Sequence, residues 1–377
     1  MRSFIALLLV ALVAPRARAM PQAALTTRST WPEPIDTAAG FDTASRAEIL
    51  LFTTAFADLD EADPASIAEL TKVRHVQLPS VARWKRRMEK LLVENFRAAS
   101  QSCGHQHSRF CLPRTPATYA ELRTGAPTIL ATIPADFAPW KREMSVFWRR
   151  YAIEQLRLAA LFPKITSEIL PLDRSEVLGT GFEDKHFLLT FDDGPSPVHG
   201  TSEIVIALLR QRHLHGQFFV LGTSLEARLR HETAADIKNL YAGMCIGSHG
   251  KVHKSHVRWK GAVPALASYD RELATYLPAG QPALELFRPP YGERNEKVLR
   301  LLKKTHMRSM LWNIDSEDWQ HSVEPKTAAG RVLSLMLLWR RGIILFHDVH
   351  PKAQVALPII WKETSGAGID WVDCHSL

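Results

Sequence analysis

From Phe187 onward, short apolar runs alternate with longer amphipathic stretches, and this alternation restricts the fold more than any other feature of the chain. The runs are Phe187 to Phe191, Gly216 to Leu221, Met244 to Ile246, Leu286 to Phe287, Met310 to Ile314, Ile343 to Phe346 and Ile369 to Val372. Between them lie helix-like patterns at Ser202 to Arg212, Ser224 to Ala242, Asp270 to Leu277 and Glu293 to His306. Strands separated by crossover helices build a parallel sheet. About seven such strands close, or nearly close, a barrel. In a parallel barrel the strand ends share one face, and that face carries active sites.

The polar residues cluster at those ends. The first strand runs into Asp192 and Asp193, then Gly194-Pro195. Two adjacent carboxylates repel and are costly to desolvate, and a cation is the usual way to make them tolerable. The competing use is an N-cap or Asx-turn pair. The third strand is followed by His249 and His253, four residues apart. On one helical turn both imidazoles can share a metal. Zinc favours two nitrogens, one oxygen and an open coordination position, and Asp193 can supply the oxygen. Further clusters follow at Arg288 to Gly292, Asp315 to Trp319 and His347-Asp348.

The first part of the chain has a different texture. Met1-Arg2, an apolar run from Phe4 to Val13 and Ala17-Arg18-Ala19 describe a secretory signal peptide, with cleavage expected after Ala19. An uncleaved anchor is the alternative, although the run is short for a membrane span. Export permits disulfides. Cys103 and Cys111 then read as a local bridge, with a zinc knot including His105 and His107 as competitor, and Cys245 with Cys374 as a second bridge. Helical spacing is visible over Thr43 to Ser100, above all from Ala82 to Phe96, and again over Phe137 to Phe162. The chain carries 47 Lys and Arg against 39 Asp and Glu, a formal charge of +8. That balance favours an anionic polymer, but no nucleic-acid-binding motif accompanies it. No later segment is long and apolar enough to cross a membrane.

Five ordered motifs resemble the polysaccharide deacetylase family (NodB homology domain, carbohydrate esterase family four). They are Thr190 to Pro195; His249 with His253; Arg288, Pro290 and Gly292; Asp315, Asp318 and Trp319; and Leu345 with His347. The resemblance covers Phe187 to the C-terminus, about half the chain, and does not extend before about Asp184. One position departs from it: Gly250 stands where the family has Ser or Thr, with Ser248 and Ser255 as nearby hydroxyls. The resemblance implies a distorted (β/α)7 barrel, NodB-like; the helical spacing before it predicts an α-rich N-terminal region. The expected organisation is a signal peptide over 1–19, an α-rich region of unknown role over 20–180 and a deacetylase domain over 181–377.

It also implies the chemistry. Asp193, His249 and His253 bind a divalent metal, zinc first, with cobalt, nickel or manganese as alternatives. Asp192 is the general base and His347 the general acid. Asp318 orients His347, and Arg288 keeps Asp192 ionised. The backbone N–H of Tyr291, the first donor after Pro289-Pro290, serves the oxyanion. Trp319 and Leu345 form an apolar slot for the acetyl methyl, with a core role as the alternative for Trp319. The expected partner is an N-acetylated cell-wall polysaccharide, peptidoglycan first. Chitin oligomers, biofilm glucosamine polymer and acetylated xylan remain open. The expected location is periplasmic or extracellular. A non-catalytic glycan-binding protein and a structural envelope protein are the readings from other functional classes.

Overall fold

The computed structural model describes residues 22–60, 62–104, 108–162 and 170–377. The signal peptide expected over 1–19, and His105 and His107 of the alternative zinc knot, lie outside the described residues. Both expected disulfides are present, Cys103–Cys111 and Cys245–Cys374. No helix among the described residues is long and apolar enough to cross a membrane.

The first half of the chain is helical: α1 (Ala38–Asp60), α2 (Pro64–Thr71), α3 (Leu78–Ala99), α4 (Tyr119–Ala131) and α5 (Ala138–Leu161). The second half alternates: β1 (His186–Asp192), α6 (Thr201–Gln211), β2 (Gln217–Val220), α7 (Gly222–Arg228), α8 (Ala234–Leu240), β3 (Cys245–Ser248), α9 (Ala262–Leu273), β4 (Leu286–Phe287), α10 (Glu296–Lys304), β5 (Arg308–Ser309), β6 (Ile314–Asp315), α11 (Pro325–Trp339), β7 (Gly342–His347), α12 (Ala353–Glu363) and β8 (Asp370–Trp371). Every strand pair is parallel, in the order β5-β4-β3-β2-β1-β7-β6, with β8 beside the start of β1.

Two expected elements are broken. The run Met310 to Ile314 does not form one strand; β5 and β6 flank a gap. The buried Arg288 guanidinium donates to the carbonyls of Met310 (3.3 Å) and Leu311 (3.4 Å), which withdraws them from a continuous ladder. Val177 fills the edge there, donating to Ser309 O (2.8 Å) and accepting from Leu311 N (3.0 Å). The curled sheet therefore borrows a segment from before residue 181. The helix expected over Ser224 to Ala242 is two, α7 and α8. Thr233 forms a capping box with Asp236 and starts the second one afresh.

Strand alternation decides what faces inward. Leu188 of β1 packs with Phe219, Leu286, Trp312, Ile343 and Leu345 inside the barrel, whereas Phe187, Leu189 and Phe191 face the helices. Helix α11 is buried on almost every side because it lies between the strands and the helical half, packing against α1, α3, α12, β6 and β7. Phe52 of α1 meets Trp339 of α11 and Trp148 of α5 at edge-on angles, so one buried apolar cluster runs through both halves. Gly330 on α11 permits the crossing of residues 26–27, since a Cβ there would stand 2.2 Å from Thr26 O.

A buried charge anchors the helical half. Glu48 is fully buried on α1 and accepts from Trp140 Nε1 (3.0 Å), Trp148 Nε1 (2.7 Å) and the Arg28 guanidinium. Glu48→Ala leaves two indole donors unpaired and the Arg28 guanidinium without its counter-charge, keeping the Ser334 Oγ contact at 3.3 Å, and losing one partner of a buried ion pair costs about 3–5 kcal/mol. Denaturant unfolding is expected to show a loss of that size; a change below about 1 kcal/mol contradicts it.

Candidate active site

The polar clusters meet at the C-terminal ends of the strands. Alternation directs Thr190 and Asp192 into the barrel mouth. Asp193 should then point away, but its φ of +74° swings the carboxylate back to the same cleft. Asp193 Oδ1 lies 3.4 Å from His249 Nε2 and 3.7 Å from His253 Nε2. These three residues form a cluster of metal-ligating geometry.

The donor set fits a divalent cation. Asp193 Oδ1 is buried and has no hydrogen-bond partner among the described residues. His249 Nδ1 donates to Arg288 O at 2.8 Å, which leaves the Nε2 lone pair for a metal. Burial holds His249 down to about 3, countered first by Asp193, so the ring is neutral as a ligand must be. His253 is more open, with the Tyr291 ring packed edge-on 4.4 Å away.

Asp192 is buried beside this cluster. Its Oδ1 accepts from Arg288 Nη1 at 2.9 Å, and the same nitrogen donates to Thr190 Oγ1 at 2.7 Å. The Arg288 guanidinium sits 4.2 Å above the Phe219 ring and 5.4 Å from that of Trp312. Burial raises the Asp192 pKa; Arg288 and then His347 oppose the rise. The net direction is upward, so Arg288 offsets burial only in part. A raised carboxylate is the better proton acceptor near neutral pH.

Asp192 and His347 are directly paired across β1 and β7. His347 Nδ1 bonds Asp318 Oδ1 at 2.7 Å, and Asp318 Oδ2 accepts the His347 backbone N–H at 2.9 Å. Burial opposes charge on this imidazole, but Asp318, Asp193 and Asp192 override it and push the group up to about 10. Asp318 is itself fully buried, in a loop ordered by Asp315, whose carboxylate accepts from Trp312 Nε1 (3.0 Å) and Glu317 N (2.8 Å).

The remaining residues line the rim and floor. Tyr291 has φ of +60° in the turn Pro290–Gly292 and is 54% exposed. Trp319 is 50% exposed, which removes the core reading for it. Leu345 is buried in the barrel interior, two residues below His347 on β7. At Gly250, φ is +85° and a Cβ would stand 2.7 Å from the His256 ring, so Ser or Thr would be strained there. Ser248 Oγ accepts the Gly250 N–H at 3.2 Å and steadies the loop instead; Ser255 Oγ has no partner among the described residues.

The profile of the polysaccharide deacetylase family matches residues 180–310. These residues belong to that family. The chain is also similar to a peptidoglycan-N-acetylglucosamine deacetylase of Bacillus cereus, 28% identical over 206 residues, covering 52% of this chain and 71% of that one. A peptidoglycan-N-acetylmuramic acid deacetylase of Bacillus subtilis is 29% identical over 56% of this chain but 42% of its own length. Chitin deacetylase 1 of Saccharomyces cerevisiae is 28% identical over 52% of this chain and 64% of its own.

Two contributors to this candidate site were not evident from the motifs. Asp348 is fully buried, its carboxylate is bonded by Ser202, and a Cβ on Gly194 would meet it at 2.3 Å. Its position directly after His347 was the available signal. Arg331 of α11 donates to Asp315 O (2.9 Å) and pairs with Glu154 of α5 (3.0 Å), tying the loop that carries Asp318 to the helical half. A lone Arg within an apolar helix was the signal there.

Proposed function

We propose that this chain is a metal-dependent hydrolase that removes N-acetyl groups from an N-acetylglucosamine-containing polysaccharide, peptidoglycan first. The observation that carries the reading is the pairing of Asp192 with His347 beside the Asp193, His249 and His253 cluster. A proton acceptor and a proton donor stand on adjacent strands next to a cation-binding set, which amide hydrolysis requires and glycan binding alone does not.

Asp193, His249 and His253 would hold the metal, which when bound polarises the acetamide carbonyl and acidifies water. Asp192, held by Arg288, accepts the proton of the attacking water. The Tyr291 N–H donates to the developing oxyanion. His347, kept protonated by Asp318, gives its proton to the departing amine. Trp319 at the rim and Leu345 beneath frame the acetyl methyl. The helical half over 20–180 acts as a scaffold, through α11 and the Arg331–Glu154 pair, for the domain over 181–377. The two disulfides support export through the N-terminal signal into the periplasm or beyond.

Acetate release from purified sacculi, chitin oligomers, poly-N-acetylglucosamine and acetylated xylan tests this reading. Sacculi are expected to give the fastest release, abolished by a chelator and restored by zinc. Folded, metal-loaded protein that releases acetate from none of the four overturns it. Preference for another polymer overturns the peptidoglycan assignment alone.

A further inference from the structure

We propose that His215, Asp373 and His375 form a second transition-metal site, at the opposite end of the barrel from the deacetylase centre, which takes a zinc-class divalent ion and fastens the C-terminal tail. His215 lies two residues before β2, so it sits at the N-terminal ends of the strands; Asp193, His249 and His253 lie at the C-terminal ends. One ligand atom from each of His215, Asp373 and His375 falls within 4.8 Å of the others. Two imidazoles with one carboxylate are the donors a borderline-soft divalent ion selects.

The site is built rather than incidental. His215 Nδ1 is 2.6 Å from Gly243 O, so that nitrogen donates to the carbonyl and Nε2 is left as the lone-pair atom, the arrangement that orients metal-binding histidines. The His215 and His375 rings stand 5.5 Å apart at 77°. The Cys245–Cys374 disulfide fixes Cys374, and Cys374 N bonds His215 O at 3.3 Å. The two residues flanking Cys374 are thereby delivered opposite His215. Asp373 accepts the His375 backbone N–H at 2.9 Å, which sets the short turn that brings its carboxylate and the imidazole together. Ligands about 2.1 Å from a tetrahedral ion lie about 3.4 Å apart, a spacing inside the 4.8 Å that bounds this set. The Asp373 and His375 side chains already meet at 2.8 Å, Oδ1 to Nδ1, and at 48% and 31% exposed they are accessible to an ion that displaces this contact. Both cysteine sulfurs are consumed by the disulfide and do not compete for the ion.

The test uses tag-free full-length chain with its disulfides intact, stripped with chelator and titrated with Zn2+ in non-reducing buffer. Calorimetry and bound-metal analysis are expected to give two equivalents for the unaltered chain. His215→Asn combined with His375→Asn is expected to give one, with acetate release within about twofold of the unaltered chain. His249→Asn combined with His253→Asn is expected to give one as well, and Zn2+ should still raise the melting temperature of that variant. His375→Gln, on the exposed tail, guards against a folding defect and should weaken the second equivalent at least tenfold. One equivalent in the unaltered chain at about 100 µM free Zn2+, or two equivalents that survive the tail substitutions, overturns the proposal.

Discussion

Asp192→Asn is expected to lower acetate release by about 10²–10⁴-fold while bound metal stays unchanged, because the role proposed for the removed carboxylate is that of proton acceptor and not of ligand. The geometry makes the substitution a clean one. Asn keeps an oxygen to accept from Arg288 Nη1, now at 2.9 Å, and that nitrogen retains Thr190 Oγ1 as a second partner. The three-residue cluster of Asp193, His249 and His253 is untouched. The change does remove a negative charge beside a buried guanidinium, so some loss of stability is expected. Folding and metal content are therefore measured on the same sample. Acetate release within about tenfold of the unaltered chain removes Asp192 as the base. Parallel loss of metal and activity would instead make it a ligand.

The same carboxylate shows how far the sequence could be read. The apolar run ending at Asp192 was legible as a strand, and the polar ends of the later runs converge as a parallel barrel demands; that Leu188 packs inside the barrel emerged only with the fold. Asp193 was legible as a partner but its route was not, since a left-handed φ is set by the turn and not by residue type alone. The split of the Met310 to Ile314 run was also out of reach. It depends on Arg288, more than twenty residues earlier, claiming the Met310 and Leu311 carbonyls. Helix α11 left no amphipathic trace, because burial between the strands and the helical half makes both of its faces apolar. The reverse holds at Thr233, where a capping box with Asp236 was present in the sequence and marks the break between α7 and α8.

Asp318→Asn is expected to reduce kcat/KM near neutral pH by about 10²–10⁴-fold and to draw the alkaline limb of the pH–rate profile downward. Asp318 accepts two N–H groups of His347, the ring Nδ1 and the backbone amide. Asn offers one acceptor oxygen, so its amide must face the other group, and the imidazole is driven to the neutral tautomer with Nδ1 unprotonated. Burial, which already opposes the charge, then prevails. A bound cation offsets the Asp193 and Asp192 contributions, which leaves Asp318 as the main support of the imidazolium. The sign follows from linkage. His347 is raised above its ordinary value, so the stability it contributes is full below the ordinary imidazole range and is lost as pH climbs through about 10. In the Asn variant that alkaline loss should shrink, while the activity limb falls toward or below neutrality. Paired pH–rate profiles and NMR titration of the His347 ring measure both. An unchanged alkaline limb with activity retained within about threefold would mean that His347 does not deliver the proton to the leaving amine.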